Sequence, residues 1–153
     1  MKRTVSYLCA LFYTLTLMTS CDSSITPDTM AGTYDGVMDI KFNIPGVDID
    51  DVEVHNHVDV TKLSDSNVEV AIDLDLSKYF SDDWAAIVGS SLDFGAITAN
   101  CLVGPTIAGE ASLTGTAKVG DTKIPVTGEY EGKTLDIKLT VGLVTVEFEG
   151  TRR

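Results

Sequence analysis

The chain has 153 residues, is 44% hydrophobic and 22% charged, and carries a formal net charge of −12. Its length suffices for one domain with a real core. An acidic surface repels phosphate backbones, which excludes nucleic acid as a natural partner and makes anionic lipid head groups poor ones.

The N-terminus reads as an address. Lys2 and Arg3 precede an apolar run from Val5 to Met18 that only Ser and Thr interrupt. About 20 apolar residues are wanted to span a bilayer, so this shorter run predicts a signal peptide over residues 1–20 rather than a membrane helix. The following Thr19-Ser20-Cys21 resembles the lipobox of bacterial lipoproteins. That resemblance implies cleavage before Cys21, a lipid on its thiol, and a protein held in the cell envelope, at the outer membrane. Removing the first 20 of 153 residues leaves 133, and losing two of 11 basic residues but none of 23 acidic ones moves the charge from −12 to −14. Cys9 leaves with the signal and Cys21 takes the lipid, so Cys101 stands alone and no intrachain disulfide is expected. A lone Cys in a β-rich segment reads as a small buried filler.

Residues 21–31 form the lipidated Cys and a short polar tether that contains Pro27. From Gly32 the pattern changes to alternation, and 32–153 is read as one barrel domain. Tyr34, Gly36, Met38, Ile40 and Phe42 share one face; the opposite face is polar except for Val37. A Pro45-Gly46 turn leads to Val52, Val54, Val58 and Val60, which alternate with Glu53, His55, His57 and Asp59. Ser64 to Asn67 turns the chain into Val68, Val70, Ile72, Leu74 and Leu76. Ser81 to Gly89 breaks the rhythm: a capping Ser, two Asp and a closing Gly predict one short helix carrying Trp84. Strands resume over Ser91–Val103 and Ala108–Val119. Turns at Gly120-Asp121, Glu131-Gly132 and Gly142 separate three more, over Lys123–Tyr130, Thr134–Val141 and Leu143–Glu149.

Eight strands on tight turns predict an all-β, antiparallel up-and-down barrel closed by pairing the first strand with the last. Sparse aromatics and small residues on the apolar face argue against a membrane-spanning barrel. Gly32-Thr33-Tyr34 at the start of the first strand resembles the Gly-x-Trp signature of lipocalins, with Tyr in place of Trp. More broadly, the lipobox, the tether, the AGTYDG opening and the closing VEFEGT resemble the calycin-like β-barrel lipoproteins of Gram-negative gut bacteria over the whole mature chain. The resemblance implies a lipocalin-like barrel with no catalytic residues to carry over, and Arg152 or Arg153 packed over the Tyr34 ring as a cation–π partner.

Candidate sites are few. His55 and His57, with Glu53 and Asp59 beside them, project from one strand face at the spacing two metal ligands need. That face is the polar one, where solvated side chains are the plainer expectation and a closed site would need ligands from a neighbouring strand. Asp48, Asp50 and Asp51 crowd a turn, but an EF-hand requires Gly and Glu where Glu53 and Asp59 stand. No nucleophile elbow, phosphate loop or metal-hydrolase motif is present, so neither an enzyme nor a cofactor is expected. Two functions compete. In the first, the barrel binds a small apolar ligand among Tyr34, Met38, Trp84, Leu113 and Tyr130, in space opened by Gly36, Ala111, Gly115 and Ala117. In the second, the barrel is filled and the exterior engages another envelope protein. A void favours the first, a packed interior the second.

Overall fold

A computed structural model describes residues 24–46, 48, 50–75 and 93–153. Eight strands follow in order: β1 (Gly32–Phe42), β2 (Val52–Lys62), β3 (Asn67–Asp75), β4 (Asp93–Val103), β5 (Glu110–Val119), β6 (Thr122–Glu131), β7 (Thr134–Val141) and β8 (Val144–Arg152). Each pairs antiparallel with its successor, and β8 returns to β1 from Tyr34↔Arg152 to Phe42↔Val144, closing the sheet. The predicted up-and-down barrel is thus the observed fold. Strand ends differ from the predicted ones by a few residues; β8, for instance, runs on to Arg152 because its backbone still meets Tyr34 there.

Alternation does the sorting. The inward set of apolar side chains is buried in all eight strands. Val37 and Leu102 are exposed apolar exceptions to the sorting, whereas Glu53, His55, His57 and Asp59 of β2 point outward. A charged outer wall around an apolar interior is the reverse of what a lipid-facing barrel requires. Three two-residue hairpins, at 120–121, 132–133 and 142–143, each begin with a glycine near φ +60°, a turn whose twist matches that of the strands it joins.

One element was not expected. Residues 27–30 form a single helical turn, α1 (Pro27–Met30), instead of loose tether. Thr26 caps it, Thr29 bonds back to the Thr26 backbone, and Pro27 supplies a preset first turn. Met30 beyond them is fully buried, so α1 closes one end of the barrel. That end also gathers the 63–66 and 104–109 loops, the 132–133 turn and the C-terminus. The described residues of 43–51 and the 120–121 and 142–143 turns lie at the far end. The short helix expected at Ser81–Gly89 lies outside the described residues, as do the signal peptide and Cys21.

The wall has one thin seam. The β2–β3 ladder covers only Val58 to Lys62, and β3–β4 shifts register between Asp73 and Asp75. Where the ladder stops, Asn56 turns its amide across the seam and donates to the Asp73 carbonyl at 2.8 Å.

Candidate functional site

The α1 end is tied by aromatic and basic side chains. Tyr34 and Tyr130 meet edge to face with ring centroids 6.2 Å apart. The Tyr34 hydroxyl donates to the Met30 carbonyl at 2.5 Å, and that of Tyr130 to the Gly132 carbonyl at 2.8 Å. Burial pushes the Tyr34 phenol well above its ordinary pKa; Tyr130 adds to the rise and the Arg152 charge opposes it. Arg152 is one of the two arginines expected to pack over the Tyr34 ring. Its stem, however, crosses Gly32 and its guanidinium donates to the Thr29 carbonyl at 2.5 Å. Arg153 instead forms a two-pronged pair with Asp35 and holds that carboxyl below its usual range. Both tyrosines named as ligand contacts therefore have their hydroxyls engaged by the fold's own backbone.

Met38 and Leu113 also point into the barrel, and both are fully buried. A void of ligand size would leave its walls open. Yet Met38, Val58, Cys101, Leu113 and Leu135, drawn from five strands, are each 0% exposed. Gly36 and Gly115, expected to open the interior, do not do so, and neither do Gly128 and Gly150. A Cβ at Gly36 would meet the Glu149 carbonyl oxygen, because β1 and β8 approach closely there. At Gly115 it would lie 2.6 Å from the Cys101 sulfur, at Gly128 2.7 Å from Ile137 Cδ1, and at Gly150 2.4 Å from Phe148 Cζ. Large neighbours fold into the space that small residues leave, as close packing demands. Burial pushes the Cys101 thiol up to about 11, the behaviour of a filler rather than a nucleophile. Trp84 lies outside the described residues.

His55 and His57 project from the outer face of β2, opposite Val37 and Asp35 of β1. The β2–β3 ladder stops at Val58, so β3 brings no paired residue alongside them. Among the described residues no three His, Cys, Asp or Glu side chains are grouped to hold a metal. Asp48, Asp50 and Asp51 are exposed along their loop.

Strand register builds a different feature. On the outer wall of β1, β2, β6, β7 and β8 lies a groove of about 550 Å³. Its floor includes Val37, the apolar exception on the outer face of β1, which is 38% exposed. Cross-strand pairing places Asp39 between Glu53 and Glu147, and Asp136 between Glu129 and Glu149. Glu147 bridges Lys138 at 2.5 Å and Lys41 at 2.6 Å, and these bonds hold its carboxyl down to about 2. Asp136 shifts the other way, raised first by burial and then by Glu149, Glu129 and Glu131. Asp39 Oδ1 is buried with no hydrogen-bond partner among the described residues. Val37 was the one legible sign of this groove. The acids around it come from strands far apart in sequence, and only the register assembles them.

Comparison of the chain with protein-family models, with curated proteins and with solved structures found no match in any of the three.

Proposed function

We propose that this protein is a lipid-anchored β-barrel of the cell envelope, similar to calycin-like lipoproteins, that acts through its outer surface on another envelope protein rather than by enclosing a small apolar molecule. The packed interior carries this reading: among the described residues, the side chains that would line a ligand pocket, Tyr34, Met38, Leu113 and Tyr130, are buried in one cluster. The outer groove supports it further, since an exposed Val37 near Glu53, Glu129, Asp136 and Glu149, acids outside the Lys41–Glu147–Lys138 bridges, suits a basic, partly apolar segment of a partner. Binding, not catalysis, is the role, and the lipid on Cys21 would place the barrel at the outer membrane.

Native mass spectrometry of the protein extracted from envelopes in mild detergent tests this. The reading expects the mass of the lipidated polypeptide, alone or with a protein partner. A stoichiometric apolar small molecule that leaves on denaturation would restore the pocket reading.

A further inference from the structure

We infer that the α1 end of the barrel rests on the membrane surface, with Ile107, Leu63 and Leu102 against the lipid head-group region and the described residues of 43–51 pointing away. The inference rests on the reading of Cys21 as the lipid-bearing residue and adds an orientation to it.

Chain length is the first argument. Ile25 is fixed to the barrel: its N–H donates to Thr106 Oγ1 at 2.7 Å. Four residue steps separate Cys21 from Ile25, and an extended chain spans at most roughly 14 Å over four steps. A lipid on Cys21 therefore keeps Thr106, and with it this end of the barrel, close to the bilayer. Strands of 8–11 residues tilted in a barrel set the two ends about 25 Å apart, so in an upright barrel the α1 end alone meets the bilayer.

Surface chemistry is the second argument. Ile107 directly follows Thr106 and is 70% exposed, the most exposed large apolar side chain among the described residues. Paired backbone bonds between Ile107 and Glu110 hold it at the base of a turn whose tip, Ala108-Gly109, has positive φ at both residues. Leu63 and Leu102, 47% and 50% exposed, flank Asn67 at the same end: Leu63 N–H donates to the Asn67 carbonyl, and Asn67 is the register partner of Leu102. Among the described residues the far end exposes one large apolar side chain, Leu143 at 53%, against three here, and exposed apolar groups gathered on a rigid rim suit the interfacial region of a bilayer.

Charge is the third. Lys62, Lys133, Arg152 and Arg153 at the α1 end balance Asp28, Asp65, Glu110 and Glu131, so this end is locally neutral in a very acidic chain. The described loops of the far end carry Asp48, Asp50, Asp51 and Asp121 with no basic residue. A bilayer with anionic head groups repels the far end and tolerates this one.

The test uses the full lipidated chain in vesicles of phosphatidylethanolamine with a minor share of phosphatidylglycerol. An environment-sensitive fluorophore is placed through Ile107→Cys or, in a separate variant, Asp121→Cys; both sites are exposed, and Cys101 is buried. The expected result is a blue-shifted emission at position 107, quenched by nitroxide-bearing lipids, with neither effect at position 121. Protein that floats with the vesicles but shows no quenching at 107, or equal quenching at both positions, overturns the orientation and leaves the anchor standing. Protein that does not float with the vesicles overturns the anchor and the orientation with it.

Discussion

Gly150→Ala asks directly whether the barrel is full. The backbone at Gly150 is not in the left-handed region, so an alanine is permitted conformationally and only space decides the outcome. Its Cβ would lie 2.4 Å from Phe148 Cζ and 2.7 Å from Cε1, whereas carbon atoms in ordinary contact sit at about 3.5–4.0 Å. The ring must therefore retreat by roughly 1 Å. Phe148 is 2% exposed and packed in the core, so that retreat pushes on its neighbours. Overpacking of this kind costs about 1–3 kcal/mol. In a domain of this size that lowers Tm on the order of 5–10 °C. Urea unfolding and calorimetry of the lipid-free mature chain measure it. Phe148→Leu in the same chain should recover part of the loss, with a coupling of about 1 kcal/mol in a double-mutant cycle. If Gly150→Ala stays within about 0.5 kcal/mol of wild type, the ring has swung into free space and the packed-interior argument fails.

Other outcomes follow from single contacts. Tyr34→Phe leaves the Met30 carbonyl without its partner in a buried place, which should cost about 1–3 kcal/mol in urea unfolding; a neutral result would mean that α1 is not fastened through Tyr34. Glu147 has its pKa depressed from 4.5 to about 2, so its stabilising contribution is complete above pH 4.5 and is lost as pH falls through 2. Glu147→Gln should therefore be less stable than wild type at pH 7, and the gap should narrow between pH 4.5 and 2; a pH-independent gap would assign the loss to packing. Cys101, fully buried with its pKa raised to about 11, should resist iodoacetamide at pH 8 until the protein unfolds. Native labelling at the rate of a free thiol would contradict the described packing.

The barrel was legible because one face of each strand is apolar and a turn residue marks nearly every reversal. Period two gives both the strands and their inward set, and Tyr34, Met38, Leu113 and Tyr130 all lie inside as the alternation places them. What period two cannot supply is volume. Gly36 and Gly115 read as gaps, yet they lie where a neighbouring strand or the Cys101 thiol fills the space. Asn56 stands at an inward position between Val54 and Val58, and its purpose appears only when the β2–β3 ladder is seen to stop short. The α1 turn was signalled in full by Thr26, Pro27 and Asp28, but four residues in a polar segment are too few for a periodic pattern to announce. The outer groove depends on register, since Glu53, Asp39, Glu147 and Lys138 are neighbours only across four strands.

Whether the barrel interior is filled is tested most directly by crystals of the mature domain pressurised with xenon. Dry apolar cavities take up the gas, whereas close-packed cores leave it nowhere to bind. No xenon is expected among Met38, Leu113 and Phe148; an ordered xenon atom there would show a hollow barrel and return the protein to the ligand-enclosing reading.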